Sequence, residues 1–317
     1  MNIWLAILIF VVSTFFITVS SKMVVSSLSY IARFLGWKEF IVAFFMMAFA
    51  SSAPNLFLGI ISAVQGIPEL SFGDVMGGNL IDLTVVMAIA VFMSKKGLEA
   101  ESRVVQSTAI FTVIFALMPF FLAIDGVLGR LDGFVLILSY FLYAAWLFKK
   151  KERFTKVYEE NISTKFSFFL KNIGLIILAT AILFFSAQGI IKSAMFFADS
   201  FHMSLGLIGI LIVGLGNSMP ETFFSLISVK RGETWMILGN LMGGVVNTAT
   251  MVLGIVALIQ PIALTDFSPF LISRFFLIIA TLVFLLAIRT GHKITKKEAL
   301  FLLAIYIVFL IVEILTK

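Results

Sequence analysis

The chain has 317 residues, of which 61% are hydrophobic and only 13% are charged, and its mean hydropathy is +1.13. This composition indicates an integral membrane protein and excludes a soluble enzyme or binding domain. The absence of Cys and the presence of only two His exclude disulfides, thiolate metal sites and most histidine-based catalysis, and the net charge of +6 is spread between apolar segments, so no nucleic-acid partner is predicted.

Ten apolar segments are long enough to cross a bilayer as helices, since about 20 apolar residues span the hydrocarbon core. Polar and apolar residues do not alternate with a period of two, which excludes barrel strands. In chain order the predicted spans cover residues 3–30, 40–65, 74–94, 105–124, 131–148, 166–198, 204–229, 235–259, 268–288 and 298–315. Spans 1 and 6 are unusually long, which predicts tilted helices.

The basic residues predict the orientation of these spans. Nineteen of the 23 Lys and Arg residues fall in the odd-numbered connections, and the densest run is the segment 149–165. Short cytoplasmic loops carry an excess of Lys and Arg. We therefore expect a plasma-membrane protein with this basic segment inside and both termini outside.

Residues 50–84 and 216–250 are two copies of one motif. At a constant offset of 166, without a gap, 11 of the 35 residue pairs are identical, among them Pro54 with Pro220. Such self-similarity indicates a duplicated unit, and each unit, residues 1–148 and 166–317, contains five spans. Because five is odd, the second unit enters the membrane upside down. The predicted fold is an all-α integral membrane protein with ten transmembrane helices in two inverted five-helix repeats.

Four polar residues reach the middle of spans 2, 3, 7 and 8. At the offset of 166, Asn55 pairs with Glu221 and Asp82 pairs with Thr248. A charged side chain at the bilayer centre costs a few kcal/mol, so it usually faces a cavity or a partner. A polar ring at the interface of inverted repeats is where a transported substrate is expected to bind.

Two prolines add backbone oxygen atoms to this ring. Pro54 and Pro220 lack an N–H group, so they should release the carbonyl groups of Ala50 and Gly216 from helical hydrogen bonds. The polar side chains around them are Ser51, Ser52, Asn217 and Ser218. A site built almost entirely from oxygen favours hard cations such as sodium, calcium or magnesium.

The glycines and Asp74 of spans 3 and 8 leave alternatives open. The segments 73–77 (GDVMG) and 239–243 (GNLMG) are GxxxG patterns, which predict close packing of spans 3 and 8 against spans 2 and 7. No strand precedes them, so no nucleotide-binding loop is predicted. Asp74 either belongs to the ion path or complements the dipole at the start of span 3.

The two motifs resemble those of the cation/calcium antiporter superfamily, which includes the sodium/calcium exchangers. Its two alpha repeats carry G-T-S-x-P-E followed by G-N-x-x-G-S-N-x-x-N/D. The matching text here is ASSAPN (50–55) then GDVMGGNLID (73–82), and GNSMPE (216–221) then GNLMGGVVNT (239–248). The resemblance covers most of the ten-span plan.

This resemblance implies antiport by alternating access, in which spans 1 and 6 shift across a core of the other eight. It implies sodium and calcium as transported substrates, with no cofactor, no nucleotide and no enzymatic reaction. Glu221 would occupy the acidic position of the second repeat, and Asp82 the Asn/Asp position of the first.

The chain departs from the superfamily pattern at several positions. Asn55 replaces the first-repeat glutamate, and Thr248, beside Asn247, replaces the second-repeat Asn/Asp. Two carboxylates, Glu221 and Asp82, remain in the central ring, enough to balance one divalent or two monovalent ions. The leading hypothesis is sodium/calcium exchange.

Three alternatives stay open beside this hypothesis. The same fold could exchange protons, monovalent ions or magnesium. An intramembrane aspartyl protease is suggested by SFGD (71–74) and PIAL (261–264), although that chemistry needs two apposed aspartates. A membrane scaffold without transport would leave the duplicated midplane oxygen atoms unexplained.

Overall fold

The computed structural model describes residues 1–34, 52–101, 103–148, 166–232, 234–264 and 267–316. Within these residues nine helical spans are long and apolar enough to cross a membrane, and they correspond to the predicted spans 1 and 3–10. The predicted span 2 is described from its second half, as the apolar helix Ala53–Val64. The prediction of an all-α membrane protein is confirmed.

The first unit, residues 1–148, contains six helices and two very short strands in its described part. They are α1 (Ile3–Phe34), α2 (Ala53–Val64), α3 (Pro68–Ile81), a π-helical turn (Asp82–Val86), α4 (Met87–Met93), β1 (Leu98–Glu99), α5 (Arg103–Leu122), a 3-10 turn (Ala123–Asp125), β2 (Val127–Leu128) and α6 (Arg130–Phe148).

The second unit, residues 166–317, contains eight helices and two very short strands in its described part. Its elements are α7 (Phe166–Phe201), α8 (Leu205–Ile208), a π-helical turn (Gly209–Val213), α9 (Gly214–Asn217), α10 (Met219–Arg231), α11 (Thr234–Asn247), a π-helical turn (Thr248–Val252), α12 (Leu253–Ile259), β3 (Ile262–Ala263), α13 (Phe267–Gly291), β4 (Lys293–Ile294) and α14 (Lys296–Leu315).

The two long helices α1 and α7 pack along each other. The hydroxyl group of Ser193 donates to the carbonyl oxygen of Ala6 at 3.1 Å, and the small residue Gly189 brings α7 close to Ser13. With α2, the beginning of α3 and the residues around Ile208, these helices form an apolar cluster distinct from the main core, which is built by spans 3, 4, 8, 9 and 10. The two long predicted spans therefore lie together beside a compact core.

Glycines allow α3 to approach span 7 at backbone contact. A Cβ atom on Gly77 would collide with the carbonyl oxygen of Ile210, and one on Gly209 would lie 2.8 Å from the amide nitrogen of Asp74. The predicted close packing of span 3 against span 7 is confirmed. Gly243, at the matching place in span 8, has no described residue within 4 Å of its Cβ position, so the packing of span 8 stays a prediction.

Two short antiparallel ribbons connect the units at their ends. In one ribbon β1 pairs with β4, with Leu98 opposite Ile294; in the other β2 pairs with β3, with Val127 opposite Ala263. The first ribbon joins connections 3 and 9, and the second joins connections 4 and 8. A ten-span topology places each of these pairs on one side of the membrane, so the ribbons agree with the predicted alternation of the chain.

Candidate functional site

Span 7 is broken in its middle by the motif that contains Glu221. Helix α9 ends at Asn217, and α10 begins at Met219 with Pro220 in its first turn. A proline is well tolerated at this place because the first N–H groups of a helix have no helical partner. Glu221 therefore lies in the first turn of α10, where the positive end of the helix dipole favours a negative charge. In the other repeat, α2 begins at Ala53 and places Asn55 in its first turn.

A small cavity lies beside the beginnings of α2 and α10. About 10 Å³ is open to a water-sized sphere, which is close to the room that one water molecule or one bare ion needs. The described lining residues are Ser52, Asn55, Val75, Gly78, Asn79, Asp82, Asn217, Ser218, Glu221, Gly244 and Thr248. The cavity thus joins polar residues from both repeats, as the sequence predicts for Asn55, Asp82, Glu221 and Thr248.

Several oxygen atoms of this cavity have no hydrogen-bond partner among the described residues. They include Oε2 of Glu221, Oδ1 of Asp82 and Oγ of Ser52, although Glu221 and Asp82 are only 6% and 7% exposed. None of the described lining residues is Lys or Arg. Burial of unpaired carboxylate oxygen costs free energy unless a cation or a donor compensates for it. The arrangement therefore favours the binding of a positively charged ion.

The described part of the chain contains no group of three or more His, Cys, Asp or Glu side chains arranged to hold a metal ion. A cation in this cavity would need amide, hydroxyl or carbonyl oxygen in addition to the two carboxylates. Sodium and calcium accept such mixed oxygen ligands. Zinc and other metals that prefer nitrogen or sulfur fit this donor set poorly.

Asp74 lies behind the cavity and is held by two amide groups. The Nδ2 atom of Asn55 donates to Oδ2 of Asp74 at 3.1 Å, and the Nδ2 atom of Asn217 donates to Oδ1 and Oδ2 at 2.9 and 3.0 Å. Asp74 is fully buried and is not among the residues that line the cavity. Helix α3 begins at Pro68, so the predicted start of span 3 at residue 74 is wrong, and Asp74 is too far from the helix start to complement its dipole.

Thr248 is connected to a residue that the sequence analysis did not identify. Its hydroxyl group lies 2.8 Å from Oδ1 of Asn79 and 3.0 Å from the carbonyl oxygen of Gly244. The Nδ2 atom of Asn79 is buried without a partner among the described residues. The repeat comparison could not reveal Asn79, because the residue at the matching position of the second copy is the apolar Val245.

Both members of the matched pair Asp82 and Thr248 stand at irregular backbone. Asp82 begins the π-helical turn of span 3, and Thr248 begins the one of span 8, at the same offset of 166. Single π-helical turns widen a helix and are frequent at functional sites. They have no simple sequence signature, so the sequence analysis missed them.

None of the remaining predicted site residues is among the described residues that line the cavity. Ala50 and Ser51 lie outside the described residues. Gly216 packs against α1, with its Cβ position 2.9 Å from the ring of Phe10, and Asn247 is buried at the end of α11; neither lines the cavity. The predicted site residues that do line it are Ser52, Asn55, Asp82, Asn217, Ser218, Glu221 and Thr248.

Comparison with known proteins identifies the family of this chain. The sequence model of the sodium/calcium exchanger protein family matches residues 5–149 and 171–315, one match in each unit. The chain belongs to the sodium/calcium exchanger family. This membership confirms the predicted superfamily and the duplication, and it supports a transporter rather than an enzyme, so the intramembrane protease is not favoured.

Individual members of the exchanger family resemble the chain over nearly its whole length. It is 24% identical to the sodium/calcium exchanger MaX1 of Methanosarcina acetivorans, with 96% of this chain and 97% of the relative covered. It is 27% identical to the putative antiporter CaxA of Alkalimonas amylolytica, over 88% and 89% of the two chains. Solved structures of the sodium-calcium exchanger NCX_Mj, soaked with sodium and strontium, share its fold with a TM-score of 0.63 at 21% identity, over 97% of this chain and 98% of that chain.

Proposed function

We propose that this protein is a secondary active antiporter that exchanges sodium for calcium at the cavity between its two repeats. The observation that carries this proposal is the pair of buried carboxylates, Asp82 and Glu221, which line a cavity built jointly by both repeats and carry oxygen atoms without a partner among the described residues. Membership of the exchanger family agrees with it. The energy would come from the sodium gradient across the membrane.

The identity of the two cations rests on donor chemistry and on the relatives. Sodium and calcium are hard cations of similar size that bind oxygen atoms. MaX1 is named a sodium/calcium exchanger, and the NCX_Mj structures were soaked with sodium, calcium or strontium. Strontium is a close chemical substitute for calcium. These relatives support calcium as the divalent substrate of the present chain.

Alternating access would use the division of the molecule into two packed groups. The helices α1 and α7 lie together and bury a cluster of their own, while the cavity belongs to spans 2, 3, 7 and 8. Gly216, directly beside the cavity, contacts Phe10 of α1. A shift of α1 and α7 across this surface would open the cavity to one side of the membrane and close it to the other.

The two carboxylates provide the direct test of this function. In proteoliposomes loaded with sodium, we expect the wild type to take up radioactive calcium when sodium is absent outside. Glu221→Gln and Asp82→Asn should each reduce this uptake at least 100-fold, because each removes a full charge from an ion site that is buried. Uptake at wild-type rates by both variants would contradict the proposed site.

The matched control is Glu99→Gln, which makes the same chemical change at an exposed residue of β1. It should leave calcium uptake unchanged. If sodium drives no calcium uptake but a proton gradient does, the alternative of a proton-coupled exchanger is correct instead.

A further inference from the structure

Each repeat contributes one carboxylate to the cavity, but the two carboxylates stand at different positions of the repeat. Each carboxylate has a neutral residue at the matching position of the other repeat: Asp82 matches Thr248, and Glu221 matches Asn55. The described lining therefore holds two acidic side chains and no basic one. Residues 40–51, which precede Ser52 and are not described, contain no ionisable side chain, so they cannot change this count.

The third buried carboxylate of this region does not take part in the exchange of cargo. Both oxygen atoms of Asp74 accept hydrogen bonds from the amides of Asn55 and Asn217, and the side chain does not line the cavity. Asn55 lines the cavity and lies between it and Asp74 in this hydrogen-bond network. The three amide hydrogen bonds stabilise the Asp74 carboxylate without a cation, so the cargo has to compensate only the two carboxylates that line the cavity.

Among the described residues, Lys22 is the basic side chain whose charge acts on Glu221, and it also stays outside the count. It lies on α1, its side chain is exposed, and it does not line the cavity. A lysine in this position adds the same charge when sodium is bound and when calcium is bound.

The low dielectric constant around the cavity makes its net charge energetically important. When the loaded site is closed to both sides of the membrane, the bound ions have lost their hydration. An ion whose charge no protein group balances does not recover that free energy from new partners. Two carboxylates are neutralised by one calcium ion or by two sodium ions. A third sodium ion would bring one excess positive charge that no described lining residue balances.

We propose that Thr248 sets the charge stoichiometry of this exchanger, and that the wild type exchanges two sodium ions for one calcium ion without net movement of charge. The inference rests on the proposed sodium/calcium exchange. The hydroxyl group of Thr248 occupies the place at which the other repeat carries the Asp82 carboxylate, so it keeps the cavity at two negative charges.

The wild-type protein provides the first test. Sodium-dependent calcium uptake into proteoliposomes is measured at equilibrium while potassium and valinomycin clamp the membrane potential at 0 and at about 100 mV, positive inside. We expect the same equilibrium calcium ratio at both potentials. If three sodium ions leave for each calcium ion, one net charge moves outward, and the ratio rises roughly 50-fold over 100 mV; that result overturns the inference.

Failure of the inference is distinguishable from failure of the proposed function. If sodium drives no calcium uptake at any potential, the proposed function is wrong. If sodium drives uptake and the calcium ratio depends on the potential, the function stands and the electroneutral stoichiometry is wrong.

A matched pair of variants tests the role of Thr248 itself. Thr248→Asp adds a third carboxylate to the cavity, and the unpartnered Nδ2 atom of Asn79 can turn toward it, because Asn79 now presents only Oδ1 to this residue. Thr248→Asn changes the same position without charge. We expect the equilibrium calcium ratio to depend on the potential in T248D and to be independent of it in T248N.

The pair also separates a charge effect from a general disturbance of the site, since both variants lose the hydroxyl group. Exchange by T248D that is as independent of potential as exchange by T248N would overturn the assignment to Thr248. If T248D does not transport, binding of calcium, measured by the thermal stabilisation of the purified protein, should still be tighter in T248D than in T248N; equal or weaker binding overturns it as well.

Discussion

At the scale of single residues, Asp74 is a buried carboxylate whose hydrogen-bond partners indicate its role. Its oxygen atoms accept from Asn55 in α2 and Asn217 at the end of α9, which belong to different repeats, so it connects these two helices from behind the cavity. The amide of Asn55 uses its nitrogen for this contact, and Asn55 also lines the cavity. Asp74 is therefore a positioning residue in the proposed exchanger and not an ion ligand.

Replacement of Asp74 by Asn should destabilise the protein without removing ion binding. The new amide group faces two amide donors, so at least one buried hydrogen bond is lost, at a cost of about 1–3 kcal/mol. We expect a lower Tm for D74N in detergent, while added calcium still raises the Tm of this variant, because a ligand of the native state stabilises it. Thermal unfolding with and without calcium measures both effects.

The control for this experiment is Asp199→Asn, at an exposed residue near the end of α7. Its Tm should equal that of the wild type. A D74N protein that calcium no longer stabilises would place Asp74 among the ion ligands and contradict its assignment as a positioning residue.

The sequence alone predicted part of this residue network. Duplication identified Asn55, Asp82, Glu221 and Thr248, because a polar residue in an apolar span stands out and its partner follows at a fixed offset. The contacts of Asp74 and the participation of Asn79 depend on the rotation of α3 about its own axis. A single sequence does not define that rotation when, as here, α3 is buried on nearly all sides.

At the scale of secondary-structure elements, the contact between α3 and span 7 holds the cavity together. Gly77 faces the carbonyl oxygen of Ile210, and the Cβ position of Gly214 lies 2.7 Å from the amide nitrogen of Gly78. These helices therefore approach at the distance of their backbones. The close approach brings Ser218 to the carbonyl oxygen of Gly78, at 3.4 Å.

Gly77→Ala tests this contact. The added methyl group has no room beside Ile210, so it must push α3 away from span 7, and overpacking of this kind typically costs about 1–3 kcal/mol. We expect a lower Tm and a calcium uptake reduced at least tenfold, because Asp82 and Ser218 move apart. Gly174→Ala is the matched control, since nothing lies within 4 Å of its Cβ position in α7, and it should retain wild-type uptake.

An unchanged Tm and unchanged uptake in G77A would show that the two helices are packed more loosely than the structure indicates. The GxxxG pattern predicted close packing for these glycines but did not predict the π-helical turn 209–213 that forms the opposite surface. A π-helical turn depends on local hydrogen-bond geometry and not on a residue type.

At the scale of the whole molecule, the two ribbons define two ends with different charge. The end with β1 and β4 carries Lys95, Lys96, Lys293, Lys296 and Lys297, whereas Arg130 is the basic residue next to β2 at the other end, between Asp125 and Asp132. An excess of Lys and Arg favours the cytoplasm. We therefore propose that β1 and β4 lie inside the cell, and that the chain begins and ends outside.

Cysteine labelling tests this orientation without background, because the chain has no Cys. In intact cells a membrane-impermeant maleimide should label Leu131→Cys, an exposed position next to β2. It should label Lys96→Cys, exposed next to β1, only after the cells are permeabilised. The reversed pattern would invert the proposed orientation, and absence of L131C labelling in intact cells with labelling in isolated organelles would contradict the plasma membrane.

The ribbons also have a consequence for the biosynthesis of the chain. Leu98 pairs with Ile294, and Val127 pairs with Ala263, so neither ribbon can form until the ribosome has synthesised most of the polypeptide. Contacts between residues so distant along the chain form late and slowly. The first five spans therefore reside in the bilayer as an unfinished half, with Asp82 lacking its counterpart, until the last spans are inserted and complete it.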